Sequence, residues 1–183
     1  MKTFKLDYIG ISEEEKHPII YHKLGDYSTI FKITNSITQH SSKKELYYEY
    51  HNVMSNIVKI IGEGYSIQKL DIITKRLFHT DTEGKDYLSQ TYFKHFEGRA
   101  YRDTDTFFCI TKNITKTTFY QFSQRDFDTF LKKIDKIFEI LESNGFLPEI
   151  LGEKSIQNLI SRFLGFEFDK KTFSLKNFKA EAD

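Results

Sequence analysis

Residues Lys43–Ile73 read KKELYYEYHNVMSNIVKIIGEGYSIQKLDII, and the fold turns on how this stretch is understood. Leu46, Tyr50, Val53, Met54, Ile57, Ile60 and Ile61 recur at spacings of three and four, the period that lines one face of an α-helix. Gly62 and Gly64 follow, and glycine takes positive φ without a Cβ clash, so the pair predicts a helix stop and a turn. Tyr65–Ile73 then mixes aromatic and β-branched residues with polar ones, as a half-buried strand does. An apolar stripe of that length needs a surface to cover it. The pattern is a helix laid on a sheet.

Working outward toward the N-terminus, Lys2–Ile9 alternates Phe4, Leu6 and Tyr8 with polar neighbours before Gly10, which predicts a first strand. Glu13, Glu14 and Glu15 form a solvated turn, and Pro18 pushes His17 toward extended geometry. Ile19–His22, the turn residues Leu24, Gly25 and Asp26, and Tyr27–Ile33 read as a hairpin, with Tyr27, Thr29, Phe31 and Ile33 sharing a face. Ser41 or Ser42 is the expected N-cap of the central helix.

Toward the C-terminus, ITKRLFHTDTEGKD is too polar to carry the sheet far, and Asp81 or Thr82 is expected to cap a second helix running to about Glu97. Its narrow apolar side is read as Leu88, Tyr92, His95 and Phe96, and Gly98 stops it before a Thr- and Phe-rich strand over Tyr101–Thr111. The sharpest local signal follows. Ser123 with Asp126 forms a variant capping box, Phe122 and Phe127 form the hydrophobic staple, and the stripe Phe127, Phe130, Leu131, Ile134, Ile137, Phe138 and Leu141 ends at Asn144 and Gly145. Pro148 keeps FLPEIL extended, a last helix spans roughly Lys154–Leu164, and Thr172–Phe178 is a candidate final edge strand. Strands with polar alternation, interrupted by single helices, predict an α+β fold: an antiparallel or mixed sheet with helices packed mainly on one face. Residues 1–183 are expected to form a single domain.

Composition narrows the function classes. Lys plus Arg total 27 against 26 Asp plus Glu, so no global field draws in a polyanion. The 18 Phe and 11 Tyr fill a core that contains no Trp. The single cysteine, Cys109, rules out an internal disulfide and reads as a small buried hydrophobe in a reducing cytoplasm. The opening residues MKTFKLDYIGISEEEK lack the apolar h-region of a secretion signal, and no apolar run approaches bilayer length.

Nucleotide chemistry is excluded at the motif level. Gly62, Gly64 and Lys69 lack P-loop spacing and follow a helix instead of opening one, and the only Gly-Lys pair, Gly84–Lys85, has His79 upstream and Asp86 after it. His17, His22, His40, His51, His79 and His95 never take the spacing of a helical zinc site. His95 is expected to be a partly buried, hydrogen-bonded core residue. No catalytic, cofactor-binding or metal residue is therefore assigned, and the chain is expected not to be an enzyme. Tyr47, Tyr48, Arg99, Tyr101 and Arg102 are candidates for a partner surface, because aromatics and Arg anchor interfaces. Two alternatives remain open: local binding of single-stranded nucleic acid through the Tyr47, Tyr48 and Tyr50 cluster beside Lys43 and Lys44, with Tyr50 better explained by core packing, and a stand-alone enzyme site assembled from His95, Arg99 and Asp103.

The segments DYIGI, HPIIYHKLGDYSTIFKITN, YYEYHNVMSNIVKIIGEGYSIQKLDII, YFKHFEGRAYRDTDTFFCIT and FDTFLKKIDKIFEILESNGF, in that order, resemble the N-terminal region of TraG-type conjugation ATPases of Bacteroidetes conjugative transposons. That resemblance implies a non-catalytic N-terminal domain of a DNA-transfer ATPase, cytoplasmic and held at the inner membrane by protein contacts with a type IV secretion-like channel. The family's P-loop and acidic metal-coordinating motif belong to a downstream domain and match no position here. Implied partners are the channel's inner-membrane subunits and the downstream ATPase domain, with homo-oligomerisation and nucleic acid as further options.

Overall fold

A computed structural model describes residues 8–34, 44–79, 86–114 and 122–165. In chain order the elements are β1 (Tyr8–Ser12), β2 (Ile19–His22), β3 (Tyr27–Thr34), α1 (Lys44–Ile61), β4 (Tyr65–Leu77), α2 (Tyr87–Phe96), β5 (Ala100–Lys112), α3 (Gln124–Ser143), β6 (Leu147–Ile150) and α4 (Glu153–Gly165). The strands form one six-stranded sheet in the order β1-β2-β3-β5-β4. β6 pairs with the second half of β3, on the edge whose first half carries β2. Every pairing is antiparallel, so the fold is α+β, as the strand patterning predicts.

The period-two alternation of the strands divides the sheet into two faces with separate cores. On one face Ile19, Tyr27, Phe31, Ile33, Phe108 and Ile110 meet the stripes of α1 and α3. On the other, Ile20, Ile72 and Phe107 meet Leu151, Ile156 and Leu159 around α4. The two long helices thus share a face, and the short α4 covers part of the reverse.

Helix α3 anchors the larger core. Phe130, Ile134 and Ile137 are fully buried, and each such side chain contributes roughly 1.5–3 kcal/mol through burial of its apolar surface. Its ends are fixed as the sequence predicts. Ser123 Oγ accepts from the Asp126 amide at 3.3 Å, and the Phe122 and Phe127 rings lie 5.6 Å apart. At the other end Phe146 N donates to Leu141 O and Gly145 N to Glu142 O, with Gly145 at φ 79°, which is a Schellman closure. Phe146, just past it, is buried and meets Tyr50 edge-on at 5.0 Å.

Several expectations are corrected. Gly10 does not end β1; the strand runs on to Ser12, with a register shift between Tyr8 and Gly10. β4 does not stop near Ile73 but continues through Leu77, because Thr74–Leu77 pair residue by residue with Ala100–Asp103. The pairing partner, not local hydrophobicity, extends it. The second helix begins at N-cap Asp86, whose side chain accepts from Ser89 N at 2.7 Å, and not at Asp81 or Thr82. The proposed N-caps Ser41 and Ser42, the start of the first strand at Phe4 and Leu6, and the strand over Thr172–Phe178 lie outside the described residues.

Candidate functional site

The long β4–β5 pair sets the geography of the surface. β3 follows β5 only as far as the Ile33–Thr106 pair. Beyond it Ile72–Leu77 and Ala100–Asp105 continue as a two-stranded arm, roughly 20 Å long at about 3.3 Å per residue, whose base is packed at buried Ile72 and Thr74 and whose outer end is exposed. α2 caps the arm. Phe78 N bonds Arg99 O and Gly98 N bonds Phe78 O, both at 2.9 Å, while the Phe78 ring meets Phe93 at 6.4 Å and Phe96 at 6.3 Å. His79 Nδ1 and Glu97 Oε1 pair beside them.

The seated face of α2 is Ser89, Phe93 and Phe96, an i, i+4, i+7 set, and no residue of the helix is fully buried. Leu88 and Tyr92, expected on the packed side, instead face out, with Leu88 78% and Tyr87 80% exposed. Tyr92 still touches Phe93 and Phe96 with its ring. His95 is also exposed, its ring edge-on to Phe96 at 5.0 Å, so the buried-core reading of it is corrected. With Leu77 and Ile73 exposed on the arm itself, the far end of the molecule carries an aromatic and aliphatic surface around a helix that buries little.

Three of the five candidate partner residues lie at this end. The Arg99 guanidinium stacks on Phe96 at 5.5 Å, and Tyr101 and Arg102 are exposed on the first pairs of β5. Strand alternation sends Tyr101 and Arg102 to opposite faces of the arm, so they do not act on one partner surface together. Tyr47 and Tyr48 are exposed early in α1, and no hydrogen bond, ion pair or ring contact among the described residues joins them to the other three. The residues that sequence reasoning passed over are Tyr87, Leu88 and Ile73. The Ser89, Phe93, Phe96 spacing is the sequence signal for the seated face of α2.

The candidate site of His95, Arg99 and Asp103 resolves into structural contacts, whereas Lys43 and the side chain of Lys44, beside Tyr47 and Tyr48, lie outside the described residues. His95 and Arg99 both meet the Phe96 ring, whereas Asp103 turns to Arg76 Nε at 2.9 Å. Lys32 pairs Asp105 at 2.6 Å and Lys69 pairs Asp71, whose other oxygen accepts from Thr106 Oγ1 at 2.7 Å. Burial works against ionisation of Asp71, but the bonds from Lys69 and Thr106 outweigh it and hold the carboxyl below its usual range. So much of the arm's charge is neutralised locally.

Two polar clusters lie elsewhere. His22 Nε2 meets Ser28 Oγ, and Ser28 Oγ meets Thr111 Oγ1, both at 2.7 Å. Cys109 lies 3.8 Å from Thr111 Oγ1, and burial pushes its thiol up, away from the thiolate that nucleophilic work requires. At the opposite face buried His17 bonds Asp135 at 2.9 Å through Nε2 and packs on Phe138, and Lys16 reaches the same carboxylate at 2.6 Å. Among the described residues no group of three or more His, Cys, Asp or Glu is placed to hold a metal ion, and no helix is long and apolar enough to cross a membrane.

Neither a comparison with models of known protein families nor one with curated proteins finds a match to this chain.

Proposed function

We propose that this domain is a protein-docking module, and that it holds a conjugation ATPase at the cytoplasmic face of its membrane channel. The observation that carries the docking reading is the exposed apolar surface at the end of the arm, where Tyr87, Leu88 and Tyr92 stand on a helix with no buried residue. Exposed aromatics on a projecting element are what interface anchors look like before a partner covers them. The resemblance to the N-terminal region of TraG-type ATPases supplies the partner class: inner-membrane subunits of a type IV secretion-like channel. The near-zero net charge and the pairing of Arg76 with Asp103 and Lys32 with Asp105 argue against a phosphate-tracking surface.

The test is a pull-down of the channel's inner-membrane subunits by the purified domain, run beside a single-stranded DNA titration at low and high salt. Capture of a subunit with no salt-sensitive DNA binding is the expected result. Retention of DNA with a steep salt slope and no subunit captured would overturn the docking reading.

A further inference from the structure

β4 is an edge strand of unusual length. Its 13 residues pair with β5 on one side without a bulge, and among the described residues the other side pairs with nothing. Such an edge presents a row of unsatisfied backbone groups, and natural proteins blunt it with proline, bulges, covering elements or charge. β4 has no proline and no bulge, and it exposes Ile73 at 63%. It carries both signs of charge, Lys69, Asp71, Lys75 and Arg76.

We propose that this edge pairs with the same edge of a second copy, antiparallel and centred on Leu70, so that two sheets join into one across a two-fold axis. The register follows from the residues. With Leu70 opposite Leu70 of the second copy, Lys69 lies across from its Asp71, Ile67 across from its Ile73, and Ser66 across from its Thr74, each twice by symmetry. The Lys69–Asp71 pair already formed on each strand is thereby laid head-to-tail against its symmetry mate. Exposed Ile73 gains an apolar neighbour. Sliding one copy by one residue places Lys69 against Ile72 and Asp71 against Leu70; recentring the axis by one residue either way sets Lys69 on Lys69 or Asp71 on Asp71. At Lys69 and Asp71 the centred register is the complementary one among its neighbours, and at its ends it brings Lys75 to Tyr65, whose ring already carries Lys112 and Lys133.

The arm gains an explanation from the same geometry. Antiparallel pairing about Leu70 sets Ile73 and Lys75 of each copy beside Ile67 and Tyr65 of the other, the part of β4 that α1 and α3 cover. Each arm therefore runs along the body of its partner. Leu77 and α2 lie past the paired segment, so the tip remains available to a different protein.

Light scattering after size exclusion, across a wide concentration range, reads this directly. The wild-type chain is expected to run as a dimer. Asp71→Lys and Lys69→Asp, which shift net charge in opposite directions, are each expected to lose the dimer, because each sets like charges across the axis. The double variant Lys69→Asp/Asp71→Lys restores opposite charges and is expected to restore the dimer. Circular dichroism verifies folding of each variant, and if loss of the Thr106 bond unfolds the two variants that carry Asp71→Lys, Lys69→Asp alone decides, by losing or keeping the dimer. A monomeric wild-type chain at every concentration, or a dimer indifferent to all three variants, overturns the proposal.

Discussion

Ser123 supplies an acceptor to one of the amide groups that every helix leaves unpaired in its first turn. Replacing it with Ala is expected to cost about 1 kcal/mol, read as a lower denaturant midpoint at unchanged slope. An unaltered midpoint would mean that Phe122 and Phe127 fix the helix start unaided. Asp135 makes a different kind of prediction. The hydrogen bond from Lys16, then that from His17, hold its carboxyl below its ordinary range. A carboxylate with a depressed folded-state pKa adds stability that is present above its unfolded value, about 3.9, and lost as pH falls through the lower folded value. Asp135→Asn is therefore expected to be less stable than the parent at neutral pH, with the gap closing below about pH 4. Lys16 and Asp135 are both well exposed, so the neutral-pH gap is expected to be small. A gap that widens on acidification would contradict the assignment.

At the scale of elements, α2 and the core helices behave differently because their burial differs. α3 sets six residues in the core, whereas α2 rests on Phe78 through two rings. Phe78→Ala is expected to speed amide hydrogen exchange throughout α2 while leaving the amides of α3 unchanged, the signature of a local unfolding unit. Equal acceleration in both helices would show that the arm and the core unfold together. The same contrast explains what the sequence disclosed. α3 was legible because its cap, staple, stripe and stop all lie within one stretch and agree. β4 beyond Ile73 was not, since Thr74, Lys75 and Arg76 are strand residues only by virtue of Asp103, Arg102 and Tyr101 across the ladder. A contact that distant in sequence leaves no local mark. The seated face of α2 is not legible locally, because ten residues hold both Leu88–Tyr92 and Phe93–Phe96, and only Phe78 decides which set is covered.

For the whole molecule, the division of labour follows from where the apolar surface goes. The two cores bury the stripes of α1, α3 and α4 against a sheet, and the arm carries its aromatics outward. Of the candidate partner residues, Arg99, Tyr101 and Arg102 lie at the arm end of the molecule and Tyr47 and Tyr48 do not, and with Tyr87, Leu88 and Tyr92 the large exposed apolar side chains of α2, binding energy is expected to concentrate at these three. Because no residue of α2 is buried, substituting these three leaves both cores intact. The most direct measurement is biolayer interferometry of the inner-membrane subunits of the proposed partner channel against the wild-type chain and a Tyr87→Ser/Leu88→Ser/Tyr92→Ser variant. The wild type is expected to bind and the variant to bind at least about tenfold more weakly, as follows when anchors worth more than about 1 kcal/mol each are lost. Equal affinity of the two proteins, or no binding by the wild type, would contradict the account.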